Sequence, residues 1–99
     1  MSNTKYTIKE NSWIAWVAAK KLKANAVAIV VGNVIHLHNT TAQQFLQNKK
    51  WVKHELCHIK QFKQHGFVVF IAKYIWQSIK HGYYNNKYEV EARKAEDQD

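Results

Sequence analysis

Residues 26–39 read AVAIVVGNVIHLHN and interrupt a chain whose other segments carry helical patterns. Two runs of mostly β-branched residues flank Gly32-Asn33, and this arrangement predicts a hairpin with a two-residue turn. In the second run, apolar residues alternate with His36 and His38, which predicts one apolar and one polar strand face. The hairpin therefore indicates an α+β protein rather than an all-helical one.

The segment before the hairpin has the pattern of a single helix. Thr7 and Glu10 fit a capping box, and tryptophan and aliphatic residues then recur at helical spacing. The segment ends in several lysines, which suit the negative end of a helix dipole. We predict a helix over residues 8–24, with Ser12 as an alternative N-cap.

Further helical patterns follow the hairpin. Helical spacing is weak at first, becomes strong over residues 51–65 and stops at Gly66. Residues 67–81 are apolar almost all round, which predicts a helix buried in the core. Residues 87–97 form the last predicted helix.

The composition fits one domain over residues 1–99. The chain has no proline, three glycines and 46% hydrophobic residues, which is typical of a compact globular fold. The single cysteine, Cys57, excludes an internal disulfide, and no signal-peptide pattern is present, so we expect a reducing, cytoplasmic setting. The longest apolar stretch, residues 67–76, contains Lys73 and is too short to cross a bilayer, so we expect no membrane partner.

The chain is strongly basic, with a formal charge of +8. Such a charge attracts polyanions whatever the fold. Arg93 is the one arginine among the 15 basic residues, however, and base-edge readout favours the arginine fork. We therefore expect no specific nucleic-acid partner, although a lysine-rich binding domain without metal remains an alternative function.

Residues 53–61 read KHELCHIKQ and contain the spacing H-E-x-x-H. On a helix, His54 and His58 lie one turn apart on the same face, where two neutral imidazoles can bind one metal ion. Glu55 can take a proton from a water held by the metal and pass it to a leaving amine. A third ligand would come from the last predicted helix, where Glu89 and Glu91 are both candidates.

Coincidence is the alternative interpretation, since a chain with six histidines can contain this spacing by chance. The histidines would then be solvated or hydrogen-bonded at the edge of the core. A metzincin-type site is excluded because Gln61 and Gln64 occupy the positions that require glycine and histidine. His65 lies too far along the helix to bind the same ion.

The order of a helix, a hairpin, the HELCH helix, a linking helix and the YEVEA helix resembles the minigluzincins. These are small zinc metallopeptidases with H-E-x-x-H and a downstream glutamate. The resemblance implies a zincin-like fold, Zn²⁺ as cofactor and hydrolysis of peptide bonds. Related gluzincins carry the third ligand in an E-x-x-A pattern, which implies His54, His58 and Glu89 as metal ligands and Glu55 as the catalytic residue.

The resemblance also implies that a β-strand above the cleft holds the substrate peptide in extended form. We place this peptide beside the strand that ends near His38. In the family, a terminal segment of the chain can occupy the cleft, so the acidic tail at residues 95–99 is a candidate internal inhibitor. The activity would then be latent, and a zinc-binding module without proteolytic activity is a further alternative.

One position departs from the gluzincin pattern. Many gluzincins place an acidic residue one turn after the glutamate ligand, where it orients a ligand histidine. In this chain that position is Arg93. A positively charged or hydroxyl group near the cleft can also stabilise the oxyanion of the transition state. The candidates for that role are Arg93, Tyr83, Tyr84 and Tyr88.

The remaining polar candidates have simpler interpretations. Gln61 lies one turn past His58 and is expected either to hydrogen-bond across the cleft floor or to be exposed. Cys57 is expected to pack as a small hydrophobic residue. His36 and His38 are possible neighbours of the substrate, although alternation alone also describes a solvated strand face.

Overall fold

The computed structural model describes residues 5–98, which form a small α+β fold with five helices and a three-stranded sheet. The elements are, in chain order, β1 (Thr7–Lys9), α1 (Trp13–Leu22), β2 (Val27–Val31), β3 (Val34–His38), α2 (Ala42–Gln47), α3 (Lys49–His65), α4 (Phe67–Asn85) and α5 (Lys87–Ala95).

The predicted hairpin is confirmed. Strands β2 and β3 pair antiparallel around Gly32-Asn33, and Val31 lies opposite Val34. Gly32 has a φ of 67°, which is why a residue without a Cβ suits this turn. The sheet order is β1-β3-β2, so β3 is the central strand and β2 has an open edge among the described residues.

The predicted start of the first helix is wrong. Thr7–Lys9 form strand β1, which pairs parallel with β3, and α1 begins only after Ser12. Ser12 is the N-cap, because its hydroxyl oxygen accepts from the backbone N–H groups of Ile14 and Ala15. Glu10 instead accepts a 2.7 Å hydrogen bond from the backbone N–H of Ala42 at the start of α2.

The sheet is covered on both faces. On one face, Val27 packs against Ala15 and Ala19 of α1. The other face carries the larger core, which consists of Val30, Ile35, Leu37, Phe45 and Ile59. The predicted alternation of side chains along β3 is confirmed, and its apolar face packs against α2 and α3.

Two helices follow the hairpin before Gly66. Asn48 has a non-helical backbone (φ −93°, ψ 91°) and separates α2 from α3. Its side chain accepts a hydrogen bond from the backbone N–H of Trp51 and caps α3, which ends at Gly66 as expected. The helix α3 is thus a rigid, capped element of 17 residues that carries the H-E-x-x-H spacing.

The expectation that residues 67–81 form a buried core helix is wrong. In α4, Phe70 is buried, whereas Val68, Trp76 and Ile79 are mostly exposed. Gly82 (φ 80°, ψ 168°) interrupts the helical backbone where the sequence predicts the end, and the chain then turns into α5, which packs against α3. Among the described residues, no helix has both the length and the apolar character that a membrane crossing requires.

Candidate metal centre

Helices α3 and α5 bring two histidines and one glutamate together. The Nε2 atoms of His54 and His58 lie 3.0 Å and 3.2 Å from the same carboxylate oxygen of Glu89. One ligand atom from each of the three residues lies within 4.8 Å of the other two, in a geometry that could hold a metal ion. The two histidines are one helical turn apart on α3, and Glu89 lies in the first turn of α5.

Each histidine is held by a hydrogen bond at its other ring nitrogen. The Nδ1 atom of His54 lies 2.7 Å from a carboxylate oxygen of Glu96. The Nδ1 atom of His58 lies 2.8 Å from the amide oxygen of Gln61. Because both partners are acceptors, each Nδ1 carries a proton. Without a cation, Nε2 also donates to Glu89; loss of that second proton would leave a neutral imidazole whose Nε2 lone pair points at the shared centre.

Gln61 has its orientation set by a buried network. Its Nε2 donates to the backbone carbonyl of Tyr88 at 3.1 Å and to the carboxylate of Glu91 at 2.6 Å. Only its amide oxygen is then left to accept from His58. Gln61 is 1% exposed, so it hydrogen-bonds beneath the cleft rather than lying at the surface.

The charges of the three converging groups depend on one another. Burial lowers the pKa of His54, but hydrogen bonds to Glu89 and Glu96 outweigh it, so the pKa is raised above 6.5. The pKa of His58 is raised in the same way, with Glu89 again the main partner. Burial opposes ionisation of Glu89, yet His54 and His58 hold its pKa well below the ordinary value. The carboxylate therefore stays charged and requires positive charge beside it.

Glu55 is buried next to these groups. Burial is the main reason that its pKa is raised to about 8, and the charge of Glu89 adds to the effect. A carboxylic acid kept neutral by burial becomes ionised when a cation is placed nearby. Glu55 is thus a proton-exchanging group whose state depends on the charge at the centre.

The residues of the centre line a cleft of about 190 Å³. The cleft runs along the whole of β2, Val27–Val31, and is bordered by Leu22 of α1 and by Ile71 and Ile75 of α4. Since β2 is an edge strand of the sheet within residues 5–98, the backbone groups of its outer side and apolar side chains face the same space. The peptide position predicted beside β3 is wrong, because β3 has neighbours on both sides.

Tyrosines border the centre, and one of them was missed in the sequence. The hydroxyl of Tyr74 in α4 donates to the second carboxylate oxygen of Glu89, and Tyr83 lines the cleft. Burial and the charge of Glu89 raise the pKa of both tyrosines. Tyr84 is exposed and Tyr88 is buried in the core, and neither lines the cleft. The only sequence signal for Tyr74 was its position four residues after Phe70, which places the two side chains on the same face of a helix.

Arg93 lies away from the cleft. Its Nη2 donates to the backbone carbonyl of Tyr84 at 2.6 Å, and its guanidinium lies 3.9 Å from the centre of the Tyr84 ring. The role considered for Arg93 in stabilising an oxyanion therefore does not fit, because Arg93 does not line the cleft. Glu96, two turns after Glu89 rather than one, takes the place of the missing acidic residue, because positions seven apart share a helix face.

Two further candidates lie outside the group of converging ligands. Glu91 points at Gln61 and not at the histidines, so the structure brings Glu89 and not Glu91 to the centre. Cys57 is a free, half-buried thiol whose pKa is raised to about 11 by burial and by Glu91. A thiol with so little thiolate at neutral pH is a poor ligand or nucleophile.

The strand histidines do not border the cleft. His36 is buried under α1, where its Nδ1 lies 2.7 Å from the hydroxyl of Ser12, and its pKa is lowered by burial and by Lys9. His38 is half-buried at the end of β3 and is not among the residues that line the cleft. Neither is placed to contact a substrate there.

Residues 95–98 of the acidic tail do not line the cleft. Asp97 lies 3.6 Å from Lys50, and the backbone carbonyl of Gln98 accepts a hydrogen bond from Lys53, so the tail runs along α3. Glu96 contacts His54 from the side opposite Glu89. Asp99, the last residue of the predicted inhibitor, lies outside the described residues.

Comparison of the chain with family models, with curated proteins and with solved structures found no match. The function is therefore inferred from the geometry of the centre and from the sequence motifs. The resemblance to minigluzincins stays a prediction.

Proposed function

We propose that the protein is a zinc-dependent metallopeptidase of minigluzincin type with a zincin-like fold. One observation carries the proposal: His54, His58 and Glu89 converge beside a buried Glu55 in a cleft at an open strand edge. This combines a ligand set, a proton acceptor and a place for an extended peptide. We further expect a cytoplasmic setting, in which Cys57 remains a thiol.

The donor set supports zinc over harder cations. Two imidazole nitrogens and one carboxylate oxygen are common zinc ligands, whereas Ca²⁺ and Mg²⁺ prefer oxygen alone. The separations of 3.0 Å and 3.2 Å from Glu89 to the histidine nitrogens are close to the about 3.3 Å expected between ligands of a tetrahedral ion with bonds near 2.0 Å. Three protein ligands also leave a fourth position open, as in catalytic zinc sites.

The chemistry divides between the cation and the chain. Bound Zn²⁺ would supply a Lewis acid that polarises the scissile carbonyl and acidifies a water molecule. Glu55, ionised in the presence of that charge, accepts the proton of the attacking water and delivers it to the leaving amine. Tyr83, which lines the cleft, is the candidate donor to the oxyanion.

The substrate is proposed to be a peptide segment in extended form. Its backbone would add to the open edge of β2, and its side chains would alternate between solvent and the apolar cleft wall. Leu22, Ile71 and Ile75 supply that wall. A peptide with an aliphatic or aromatic side chain near the cleaved bond therefore fits best.

A metal-binding module without proteolytic activity is the second candidate. The position of Arg93 favours this inactive module, because Arg93 is bonded to Tyr84. The oxyanion of the transition state would then be stabilised by the hydroxyl of Tyr83 without help from Arg93. The tail to Gln98 lies along α3, so the proposed latency would need another cause than this segment. The two candidates share the metal site and differ in the catalytic step.

The metal site is tested by metal content per chain, measured on the wild type beside Glu89→Ala and Glu91→Ala. We expect near-stoichiometric zinc in the wild type and in Glu91→Ala, and loss only in Glu89→Ala. Glu91→Ala is the matched control, because it removes a carboxylate of the same helix that faces Gln61 instead. Chains without metal even after zinc is offered would refute the site.

The catalytic step is tested with Glu55→Gln on an unstructured protein such as casein. Removal of a general base lowers the rate by about 10²–10⁴-fold, whereas the zinc content should stay unchanged. Unchanged cleavage by Glu55→Gln would exclude the role of Glu55. Zinc binding without cleavage in the wild type would favour the inactive module.

A further inference from the structure

The outward side of α4 is apolar over about half of its circumference at 100° per residue. Phe70 faces the core, and the opposite arc carries Val68, Trp76 and Ile79, which are 75%, 60% and 75% exposed. Soluble domains normally cover such a continuous surface. This arc is therefore available for a contact.

Helix α1 carries a second exposed apolar region, which at 100° per residue lies on the side of the helix away from the cleft-lining Leu22. Trp13 is 70% exposed, and Trp16 and Val17 are exposed as well. Leu22 of α1 and Ile75 of α4 both line the cleft, so the two helices flank one opening. We name these surfaces together the α1/α4 face; it consists of Trp13, Trp16, Val17, Val68, Val69, Ile75, Trp76, Ile79, Lys20, Lys21, Lys73 and Lys80.

The charges on this face are all positive. Neither α1 nor α4 contains an aspartate or a glutamate, and both carry exposed lysines. The ammonium groups of Lys20 and Lys80 lie 5.4 Å and 5.7 Å from the ring centres of Trp16 and Trp76. Exposed tryptophan thus alternates with lysine, and the acidic residues of the described chain lie on other elements.

We propose that the α1/α4 face binds the surface of an anionic lipid bilayer, with α4 lying in the interface. An apolar helix face with tryptophan and flanking lysines has the composition of interfacial helices. Anionic headgroups complement the lysines, and the apolar side chains enter the boundary of the acyl region. No described helix can span the bilayer, so the contact is confined to one surface.

Two other occupants fit less well. A second copy would place lysines against lysines, because the face offers no carboxylate to pair with them. Nucleic acid would pair with the lysines but leave the exposed tryptophan and aliphatic side chains without an apolar environment, and the one arginine is engaged with Tyr84. The expectation of no membrane partner rested on an apolar stretch too short to cross a bilayer, and that length does not bear on a helix that lies at the surface.

The test uses the full chain with vesicles of phosphatidylcholine alone and of phosphatidylcholine mixed with phosphatidylglycerol. Sedimentation measures binding, and tryptophan emission reports entry into an apolar environment. We expect at least about tenfold tighter binding to the anionic vesicles, together with a shift of the emission to shorter wavelength. Equal, weak binding to both kinds of vesicle without a shift would overturn the proposal.

Paired variants separate this face from general charge. Lys73→Glu/Lys80→Glu should abolish most of the binding, whereas Lys60→Glu/Lys94→Glu, on the separate cavity between α3 and α5, should retain most of it. Equal losses in both variants would mean that net charge alone binds the vesicles, which would overturn the assignment. Circular dichroism establishes that each variant is folded.

A third variant tests the apolar contribution and the rival occupant. Trp76→Ser/Ile79→Ser should weaken vesicle binding and reduce the emission shift. A lipid-free dimer that this variant dissociates would assign the face to a second copy instead and overturn the proposal. Glu89→Ala should bind vesicles as the wild type does, so failure of the metal site and failure of the lipid contact can be told apart.

Discussion

Helices α3 and α4 meet at Gly66 and border the same cleft, yet they differ in which kinds of side chain they bury and expose. Helix α3 buries polar residues, among them Glu55, His58 and Gln61. Helix α4 exposes apolar ones, among them Val68 and Ile79. Burying polar groups and exposing apolar groups both lower stability unless something is gained. This difference fits the proposals that α3 holds a ligand in the interior and that α4 meets an external surface.

The largest expected difference is between matched isoleucines of the two helices. Ile59→Ala in α3 should lower the free energy of unfolding by about 2–5 kcal/mol, because it leaves a cavity in the core. Ile79→Ala in α4 should change it by less than about 0.5 kcal/mol, because the side chain is already exposed. Urea denaturation measures both. Similar losses would show that α4 is covered in solution.

A matched pair of glutamines tests the buried network of α3. Gln61→Ala removes the acceptor of His58 and the donor to Glu91, so we expect a loss of about 1–3 kcal/mol in the free energy of unfolding. Gln64→Ala, on the exposed side of the same helix, should have almost no effect. If thermal unfolding gave Gln61→Ala the same stability as the wild type, the proposed contribution of this hydrogen-bond network would be refuted.

Glu96 offers a smaller effect that is confined to metal binding. Glu96→Ala removes the acceptor at Nδ1 of His54 and should weaken zinc affinity by about 10–100-fold. Asp97→Ala removes the neighbouring carboxylate, which meets Lys50 at the surface, and should leave the affinity unchanged. Competition with a chelator of known zinc affinity measures both variants. Equal affinities would show that Glu96 does not orient the histidine.

The smallest effect is a pH dependence of the metal-free protein. His54 and His58 have raised pKa values, so their stabilising contribution is present below 6.5 and is lost as the pH rises through the raised pKa values. Glu55 acts in the same direction between its ordinary pKa of 4.5 and about 8. The lowered pKa of Glu89 means that its contribution is present above 4.5 and is lost in acid.

The metal-free chain should therefore be more stable near pH 5.5 than near pH 8, as far as this centre contributes. Zinc replaces the protons of the histidines, so the rise in Tm on adding zinc should be larger near pH 8 than near pH 5.5. Differential scanning calorimetry with zinc and with chelator at both pH values measures this. A larger zinc effect at the lower pH would contradict the charge assignment.

The parts of the fold that sequence predicts correctly are those determined by short-range chemistry. Gly32-Asn33 indicates the hairpin, and Gly66 ends α3, because each needs a backbone conformation that few residues adopt. Strand β1 was missed because its three residues are defined by parallel pairing with β3, a distant partner. Its capping-box pattern was misleading, since Glu10 accepts a hydrogen bond from the first residue of α2, Ala42, instead.

In the candidate site, too, sequence predicts the residues related by local spacing and misses those brought in by tertiary packing. The convergence of His54 and His58 follows from spacing on one helix, which a sequence shows directly. Glu96 and Tyr74 reach the centre only because α4 and α5 fold back onto α3, and no local pattern encodes that packing. The burial of α4 was predicted wrongly for a related reason, because an apolar pattern does not state what covers it.

The separation of the ligands along the chain has a consequence for motion. Glu89 is 35 residues from His54, and all of α4 lies in the intervening loop. An ion held by these residues would act as a cross-link that closes this loop and reduces the number of open conformations it can visit. Amide hydrogen exchange in α4 should therefore slow when zinc is added, although α4 itself supplies no ligand. A metal ion bound by His54, His58 and Glu89 would in this way limit the fluctuations of the exposed side of α4.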